Sequence, residues 1–190
     1  MKSQIRTLGI DDAPFKFTDK TTEVVAVLLR GNFYMDAVLK TKVEVDGRDA
    51  TDKLIEMIKA SRYKEQIKTI MIDGIAFGGF NVIDIQKLYG DLNIPVITIT
   101  RKKPDLNSMK KVLKQKFTDW NRRWNVIISK EIVQIKRGRS NLYVNYVGLK
   151  LSEVKEVMDI TTLRGVMPEP IRIAHLIAAG IKIGESHGRA

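Results

Sequence analysis

The sequence has no cysteine, only two histidines, and few aromatic residues. Without cysteine there is no disulfide, no thiolate zinc site and no cysteine nucleophile, so any catalysis would depend on carboxylates, histidines and hydroxyl groups. No apolar run approaches the roughly 20 residues that a membrane-spanning helix needs. The segment Met1 to Thr7 lacks the apolar core of a signal peptide. We therefore expect a cytoplasmic protein with no membrane partner.

A chain of 190 residues with 44% apolar residues is long enough to form one domain with its own core. We expect a single domain over residues 1–190. The Gly- and Ser-containing end, residues 183–190, is expected to be disordered, and His187 within it to be inert.

Basic residues are concentrated in one part of the chain. Between Arg101 and Arg139 there are 13 Lys or Arg residues and three acids, so this window supplies +10 of the net charge of +11. Such a block favours a polyanion as partner, with nucleic acid as the leading choice. The alternative is a solvated basic helix face without a specific ligand.

Hydrophobic periodicity predicts an α/β fold. Predicted strands cover Ile5–Ile10, Val24–Leu29, Phe33–Val45, Ile67–Ile72, Val96–Thr100, Val126–Ile135 and Leu142–Val147. Predicted helices begin at Ala50, Val82, Asp105 or Ser108, Ser152 and Pro168, and the basic one reaches towards Trp124. The opening strands are predicted to be antiparallel and the strand–helix–strand units that follow to be parallel, in a mixed sheet with helices on both faces.

Acidic residues stand where strands end or helices begin. Asp11 continues the first strand, and Asp73 follows the buried strand Ile67–Ile72. The carboxyl ends of parallel strands are where α/β sheets bind ligands, although a strand-end Asp can simply cap a turn. Asp52, on the first turn of the helix from Ala50, is the predicted third acid, and Asp46 and Asp49 compete with it.

Two further acids are secondary candidates. Asp12 is adjacent to Asp11, so the two side chains point to opposite sides of an extended strand and only one can face a shared site. Asp12 could cap a turn, bind a second metal or contact substrate. Asp84 is explained adequately by the helix dipole, because it stands at the start of a helix.

The remaining candidates are one histidine and several aromatic residues. His175 lies among apolar residues, where a histidine is more often part of the core than a ligand. Phe117, Trp120 and Trp124 have the spacing of a core-facing stripe, with Arg122 and Arg123 between the tryptophans; base stacking is the alternative.

Four segments resemble the endonuclease V superfamily, an RNase H-like nuclease fold, and more closely its archaeal relatives called endonuclease dU. The likeness extends from about Gly9 to Ala178. The segments are Gly9-Ile10-Asp11, similar to Gly-Val-Asp; Ile72 to Ala76, similar to a shortened Val-Asp-Gly-x-Gly-Ile-Ala; Asn93 to Ile97, similar to Ile-Pro-Thr-Ile; and Pro168 to His175, similar to Pro-Glu-Pro-x-Arg-x-Ala-His.

The resemblance implies catalytic roles for Asp11, Asp73 and His175, with Asp52 at the position of a catalytic Glu. It implies Mg²⁺ or Mn²⁺ held by Asp11, Asp52 and Asp73, and a basic residue at Arg101. Two motifs differ. The Tyr-x-Pro-Gly wedge is absent near Val43–Gly47, and Phe77–Phe80 replaces His-Pro-Arg.

The resulting prediction is a metal-dependent endonuclease that nicks DNA at deaminated bases in a repair role, with deoxyuridine as first choice and deoxyinosine as second. Predicted nucleic-acid contacts come from the cations and from aromatic rings that could stack on or wedge beside a base. They are Arg101, Lys102, Lys103, Phe77, Phe80, Arg122 and Arg123. The alternatives are an RNA endonuclease of the same fold and a non-catalytic nucleic-acid-binding module.

Overall fold

The computed structural model describes residues 4–186, which form a seven-stranded mixed sheet with helices on both faces. The strand order is β3-β2-β1-β4-β7-β9-β8. These strands are β1 (Arg6–Asp12), β2 (Thr21–Arg30), β3 (Tyr34–Glu44), β4 (Thr69–Asp73), β7 (Val96–Thr100), β8 (Val133–Arg137) and β9 (Ser140–Val147). Two short strands, β5 (Ala76–Phe77) and β6 (Asn81–Val82), pair with each other outside this sheet.

The predicted strand directions agree with the structure over the first five strands of the sheet. β1, β2 and β3 are antiparallel neighbours, and β1, β4 and β7 run parallel. β9 and β8 return antiparallel beyond β7. The carboxyl ends of β1, β4 and β7 therefore lie at one edge of the sheet, together with the turn between β8 and β9.

Helices α1 (Ala50–Lys59) and α2 (Ile85–Leu92) cover one face of the sheet. The apolar side of α1, formed by Leu54 and Ile58, packs with Leu8 and Ile10 of β1 in one buried cluster. Because side chains alternate along a strand, Gly9 and Asp11 face the other way.

Helices α5 (Leu151–Thr161) and α6 (Glu169–Ile183) lie on the opposite face. Ala174 and Ala178 of α6 pack against Val25 and Val27 of β2, and Ile171 joins a cluster around Met71. The small side chains let α6 approach the sheet closely, which places its first turns beside β1.

Four predicted segments differ from the structure. The basic helix is two helices, α3 (Leu106–Lys116) and α4 (Trp120–Ile127), with a break at Phe117. Because α4 continues through Val126 and Ile127, strand β8 starts only at Val133. Val82 belongs to β6, and α2 begins at Ile85 after its cap Asp84. Lastly, Ile183 is the end of α6 rather than part of a tail, and residues 187–190, with His187, lie outside the described residues.

Within residues 4–186, no helix combines the length and apolar character needed to cross a membrane.

Candidate metal and active site

Two carboxylates meet at the carboxyl edge of the sheet. Asp11 is the last residue but one of β1 and Asp73 is the last residue of β4, and the parallel pairing of Ile10 with Ile72 brings the two strand ends side by side. Asp73 is two residues after Met71, whose side chain lies in the α5/α6 cluster, so both carboxylates face α6. Asp11 is only 5% exposed.

His175 reaches these carboxylates from the second turn of α6. Its Nδ1 lies 2.8 Å from Asp11 Oδ2. This approach requires Gly9, because a Cβ there would stand 2.1 Å from the carbonyl carbon of Pro170 at the start of α6. The glycine in β1 and the Pro-Glu-Pro start of α6 together determine where the histidine lies.

The three side chains form a group that could hold a metal ion. One ligand atom from each of Asp11, Asp73 and His175 lies within 4.8 Å of the other two. Two carboxylate oxygens and one imidazole nitrogen suit a hard or borderline divalent cation. The Asp11 bond to Nδ1 also fixes the ring orientation, as partners of metal-binding histidines do.

Burial gives these groups unusual proton affinities. Burial raises the pKa of Asp73 to about 7, and the nearby Asp11 carboxylate adds to the increase. The pKa of Asp11 is also raised by burial, against the opposing effect of His175. The hydrogen bond to Asp11 raises the pKa of His175. A cation would relieve the repulsion between the two carboxylates, so the site favours metal over an empty charged state.

Asp12 is a third acid at the end of β1. Its Oδ2 accepts a hydrogen bond of 2.8 Å from Gly78 N, on the side of the sheet away from α6. Burial raises the pKa of Asp12 to about 7, with repulsion from Asp11 contributing. Asp12 is thus electrostatically coupled to the cluster although its side chain holds a neighbouring loop.

Asp52, the predicted third metal ligand, does not lie in this cluster. It is on the first turn of α1, and α1 covers the face opposite to α6. Its carboxylate pairs with Lys87 Nζ of α2 and is 56% exposed. The position within a predicted helix was right, but the face of the sheet that the helix covers excludes Asp52 from the Asp11–Asp73–His175 group.

The competing acids have structural partners. Asp84 caps α2 by accepting from the backbone N–H groups of Gln86 and Lys87. Asp49 Oδ1 accepts from Glu44 N and from the Asn81 amide. Asp46, in the left-handed conformation at φ 55°, accepts from Phe80 N.

Two of the predicted nucleic-acid contacts are buried instead. Phe77 is fully buried in the core cluster with α1 and α2, so its ring cannot stack on a base. Arg123 is 6% exposed and bonds the carbonyls of Gly47 and Phe80 as well as the Asp119 carboxylate. This guanidinium connects α4 to two loops, and it does not face a ligand.

The other aromatic candidates take intermediate positions. Phe80 is partly buried and meets Phe117 edge-on, with ring centroids 5.9 Å apart. The tryptophan rings are partly buried beneath lysine ammonium groups, Lys114 over Trp120 and Lys110 over Trp124. These pairs account for the stripe at Phe117, Trp120 and Trp124 as packing between α3 and α4.

The predicted cations Arg101, Lys102 and Lys103 lie directly after β7, at the same edge as the cluster, and are exposed. Arg101 is close enough to lower the pKa of Asp73 by its charge. The predicted basic block from Arg101 to Arg139 included the cations on the second side of this surface, but the sequence did not show that the β8–β9 hairpin brings them beside Arg101. The groove beside these residues is also lined by Ser140, Asn141 and Tyr143, and it continues past Lys136, Arg137 and Arg139 of the β8–β9 hairpin. Arg122 is exposed on α4.

The structural roles of Gly9 and Asp46 were not predicted, although Gly9 stands in the Gly9-Ile10-Asp11 motif and Asp46 was considered as a metal ligand. The available signal for Asp46 was the Asp46-Gly47 pair, since Asp tolerates a positive φ. For Gly9, the signal was a glycine inside a strand, which marks close approach of another backbone.

The sheet order, the strand-end carboxylates and the histidine on the last helix define an α/β protein with an RNase H-like nuclease fold. Comparison with solved structures agrees with this class. Human endonuclease V has a TM-score of 0.57 at 14% identity, over 92% of this chain and 83% of that chain. An endonuclease V from Ciona intestinalis, solved with a 24mer DNA containing an inosine followed by a ribo-adenosine, has a TM-score of 0.60 at 14% identity, over 90% and 83%.

The chain belongs to the endonuclease dU family, whose model matches residues 3–182. An archaeal relative from Methanothermobacter thermautotrophicus, named only as a UPF0215 protein, is 44% identical and covers 100% of this chain and 94% of its own. A solved Archaeoglobus fulgidus protein of unknown function has a TM-score of 0.83 at 38% identity, over 96% and 99%. Family and fold together support a nuclease.

Proposed function

We propose that this protein is a Mg²⁺- or Mn²⁺-dependent endonuclease that nicks DNA at deaminated bases, with deoxyuridine as the preferred lesion, in a DNA repair role. The observation that carries the proposal is the Asp11–Asp73–His175 group at the carboxyl edge of the sheet. The description of the family as endonuclease dU supports deoxyuridine as first choice, and deoxyinosine is the second choice.

The carboxylates of Asp11 and Asp73 would hold the cation. When bound, the metal supplies a Lewis acid that polarises the scissile phosphate and lowers the pKa of a coordinated water. Asp12 would add negative charge on the other side of the β1 end and keep the loop at Gly78 in place through its hydrogen bond.

His175 would position or protonate an oxygen of the scissile phosphate. Its Nδ1 is engaged by Asp11, which leaves Nε2 as the other ring nitrogen. The hydrogen bond to Asp11 raises the pKa of His175 above its ordinary value, which favours the protonated ring relative to a free imidazole, and an imidazolium can donate a proton to a leaving oxygen. Asp11 therefore serves both the metal and the histidine.

The cations at the same edge would hold the nucleic-acid backbone. Arg101, Lys102 and Lys103 lie on one side of the groove and Arg139 on the hairpin side. Phosphate contacts of this kind determine position and register and carry no base sequence information.

The test is a nicking assay on labelled duplexes that contain one uracil, one hypoxanthine or no lesion, with Mg²⁺, Mn²⁺ or EDTA. We expect metal-dependent nicking beside uracil. We expect the rate to fall at least about a hundredfold in His175→Ala, the scale of lost acid–base catalysis, and further in Asp73→Asn. Asp52→Asn is the matched control and should retain activity.

The same assay with a ribonucleotide at each position next to the lesion separates DNA from RNA cleavage. Preferential cutting of the RNA-containing strands would replace DNA by RNA as the substrate. If no substrate is cut while salt-sensitive binding persists in wild type and Asp73→Asn alike, the catalytic proposal fails and a binding module is the better account.

A further inference from the structure

The loop between β1 and β2, residues 13–20, presents an aromatic ring to solvent. Phe17 is 69% exposed, and Phe15 meets it edge-on with ring centroids 5.5 Å apart. Leaving so much of a phenyl ring in water forgoes the stabilisation that burial would give. The ring therefore has no role in the core.

This loop is held by several hydrogen bonds, so the exposure of Phe17 belongs to an ordered segment. Ala13 N donates to Glu23 O at 2.8 Å, and Thr22 Oγ1 donates to Ala13 O at 2.9 Å. Further along, Asp19 accepts from Lys16 N and pairs with Lys182 of α6 at 3.0 Å. The loop is thus tied at one end to β2 and at the other to α6.

The ring of Phe17 lies next to the metal-site edge of the sheet. A Cβ on Gly79 would be 3.4 Å from Phe17 Cε1, so the ring rests on Gly79. Gly78, the preceding residue, donates its N–H to Asp12 at 2.8 Å. Since consecutive Cα atoms are about 3.8 Å apart, the ring is within a few nucleotides of Asp12, the neighbour of Asp11 on β1, at about 3.4 Å per stacked nucleotide.

A cation stands over one face of the ring. Lys116 Nζ, at the end of α3, lies 5.1 Å from the centroid of Phe17. An exposed aromatic ring with an adjacent ammonium group is the combination that single-stranded nucleic acids need, because the base stacks on the ring and the backbone phosphate meets the cation. The exposed ring of Phe33 provides a contrast: it is 74% exposed but lies in the turn after β2, at the opposite end of β1 from Asp11 and Asp12.

From this geometry we propose that Phe17, with Lys116, is a stacking platform for an unpaired nucleobase of the strand whose phosphate lies at the carboxylate cluster. The inference rests on the proposed function for the position of that strand. Phe17, an exposed residue of the β1–β2 loop, thereby takes the base-stacking role that the sequence had suggested for Phe77, which is buried. The ligand is a base face, so the platform accepts any base and contributes affinity rather than lesion choice.

The test compares two single-stranded ligands of about 12 nucleotides, within the range of typical single-strand binding sites. One is oligothymidylate and the other is a stable abasic oligomer of equal charge. Dissociation constants are measured in EDTA, where metal-dependent cutting is absent, with wild type, Phe17→Ala, Phe17→Tyr, Lys116→Gln and the control Phe33→Ala. The difference between the ligands isolates stacking, which a purely structural role of Phe17 would not affect.

We expect wild type to bind oligothymidylate more tightly than the abasic oligomer. Phe17→Ala should weaken oligothymidylate binding about tenfold, within the range measured for base–aromatic stacking, and leave abasic binding unchanged. Phe17→Tyr and Phe33→Ala should behave like wild type, and Lys116→Gln should weaken both ligands. Equal weakening of both ligands by Phe17→Ala, or no weakening of either, would overturn the platform.

The two proposals fail separately. Base-dependent binding through Phe17 without nicking of any lesion substrate would support the stacking platform and contradict the proposed nuclease activity. Metal-dependent nicking with no base-dependent loss in Phe17→Ala would do the reverse.

Discussion

Asp73 and Asp12 lie at strand ends where burial makes the charged form of a carboxyl group costly. The pKa of each is raised to about 7, from an ordinary value of 3.8. For an acid whose pKa is raised by folding, the folded state is favoured while the group is protonated. That advantage is lost as pH rises from about 4 to about 7. Metal-free protein should therefore lose stability over this pH range because of these two groups.

The amide variant Asp73→Asn removes one of the two charges and tests this directly. At pH 8 and without metal, we expect it to melt several degrees above wild type, because a shift of this size corresponds to at most about 4 kcal/mol. Below about pH 4, where the Asp73 carboxyl is protonated in both the folded and the unfolded state, the two should melt alike. Mg²⁺ at pH 8 should raise the melting temperature of wild type and not of the variant. A variant that melts below wild type at pH 8 would contradict the assigned direction.

At the scale of elements, the site depends on how closely α6 approaches β1. Gly9→Ala would place a methyl group 2.1 Å from the backbone of Pro170, and backbone cannot move aside as a side-chain end can. We expect a loss of about 1–3 kcal/mol in the free energy of unfolding, and displacement of His175 from Asp11.

Gly180→Ala is the control for that change, because Gly180 lies within α6 itself and a Cβ there meets no atom within 4 Å. It should be neutral or stabilising by up to about 1 kcal/mol. Thermal melts give the stability, and nicking rates give the effect on the site. A stable, fully active Gly9→Ala protein would show that α6 does not need this close approach.

How much of the site could be predicted from the sequence also differs from one element to another. Asp11 and Asp73 could be predicted because strand ends are local signals and parallel pairing brings strand ends together. His175 was predicted only from the resemblance of the Pro168 to His175 segment to the endonuclease V superfamily, since its apolar neighbours favour a core histidine. Asp52 could not be assigned in this way, since helical periodicity does not tell which face of the sheet α1 covers. Arg123 shows the same limit. Its partner Asp119 is four residues earlier in the sequence, whereas its other partners, Gly47 and Phe80, are far from it in the sequence and cannot be read from local spacing.

For the whole molecule, the distribution of charge matters more than its sum of +11. The structure divides the basic window between α3/α4 and the groove formed by Arg101, Lys102, Lys103 and the β8–β9 hairpin. The groove adjoins the carboxyl edge of the sheet, so a strand held there could extend to the Asp11–Asp73–His175 group.

Salt dependence of DNA binding tests whether that groove holds phosphates. The double variant Lys102→Gln/Arg139→Gln should lower the slope of log K against log salt by about 2, one for each lost phosphate contact. The control Lys64→Gln/Lys68→Gln removes equal charge near the start of β4, at the other end of the sheet. An equal change of slope in both proteins would mean that net charge alone attracts the DNA.

The most direct test of the central claim is calorimetric titration of Mn²⁺ into the wild-type protein, Asp73→Asn and Asp52→Asn. The account predicts that wild type and Asp52→Asn bind the metal with similar affinity and that Asp73→Asn loses binding, because only Asp73 lies in the cluster with Asp11 and His175. Loss of binding in Asp52→Asn with binding retained in Asp73→Asn would contradict the site described above.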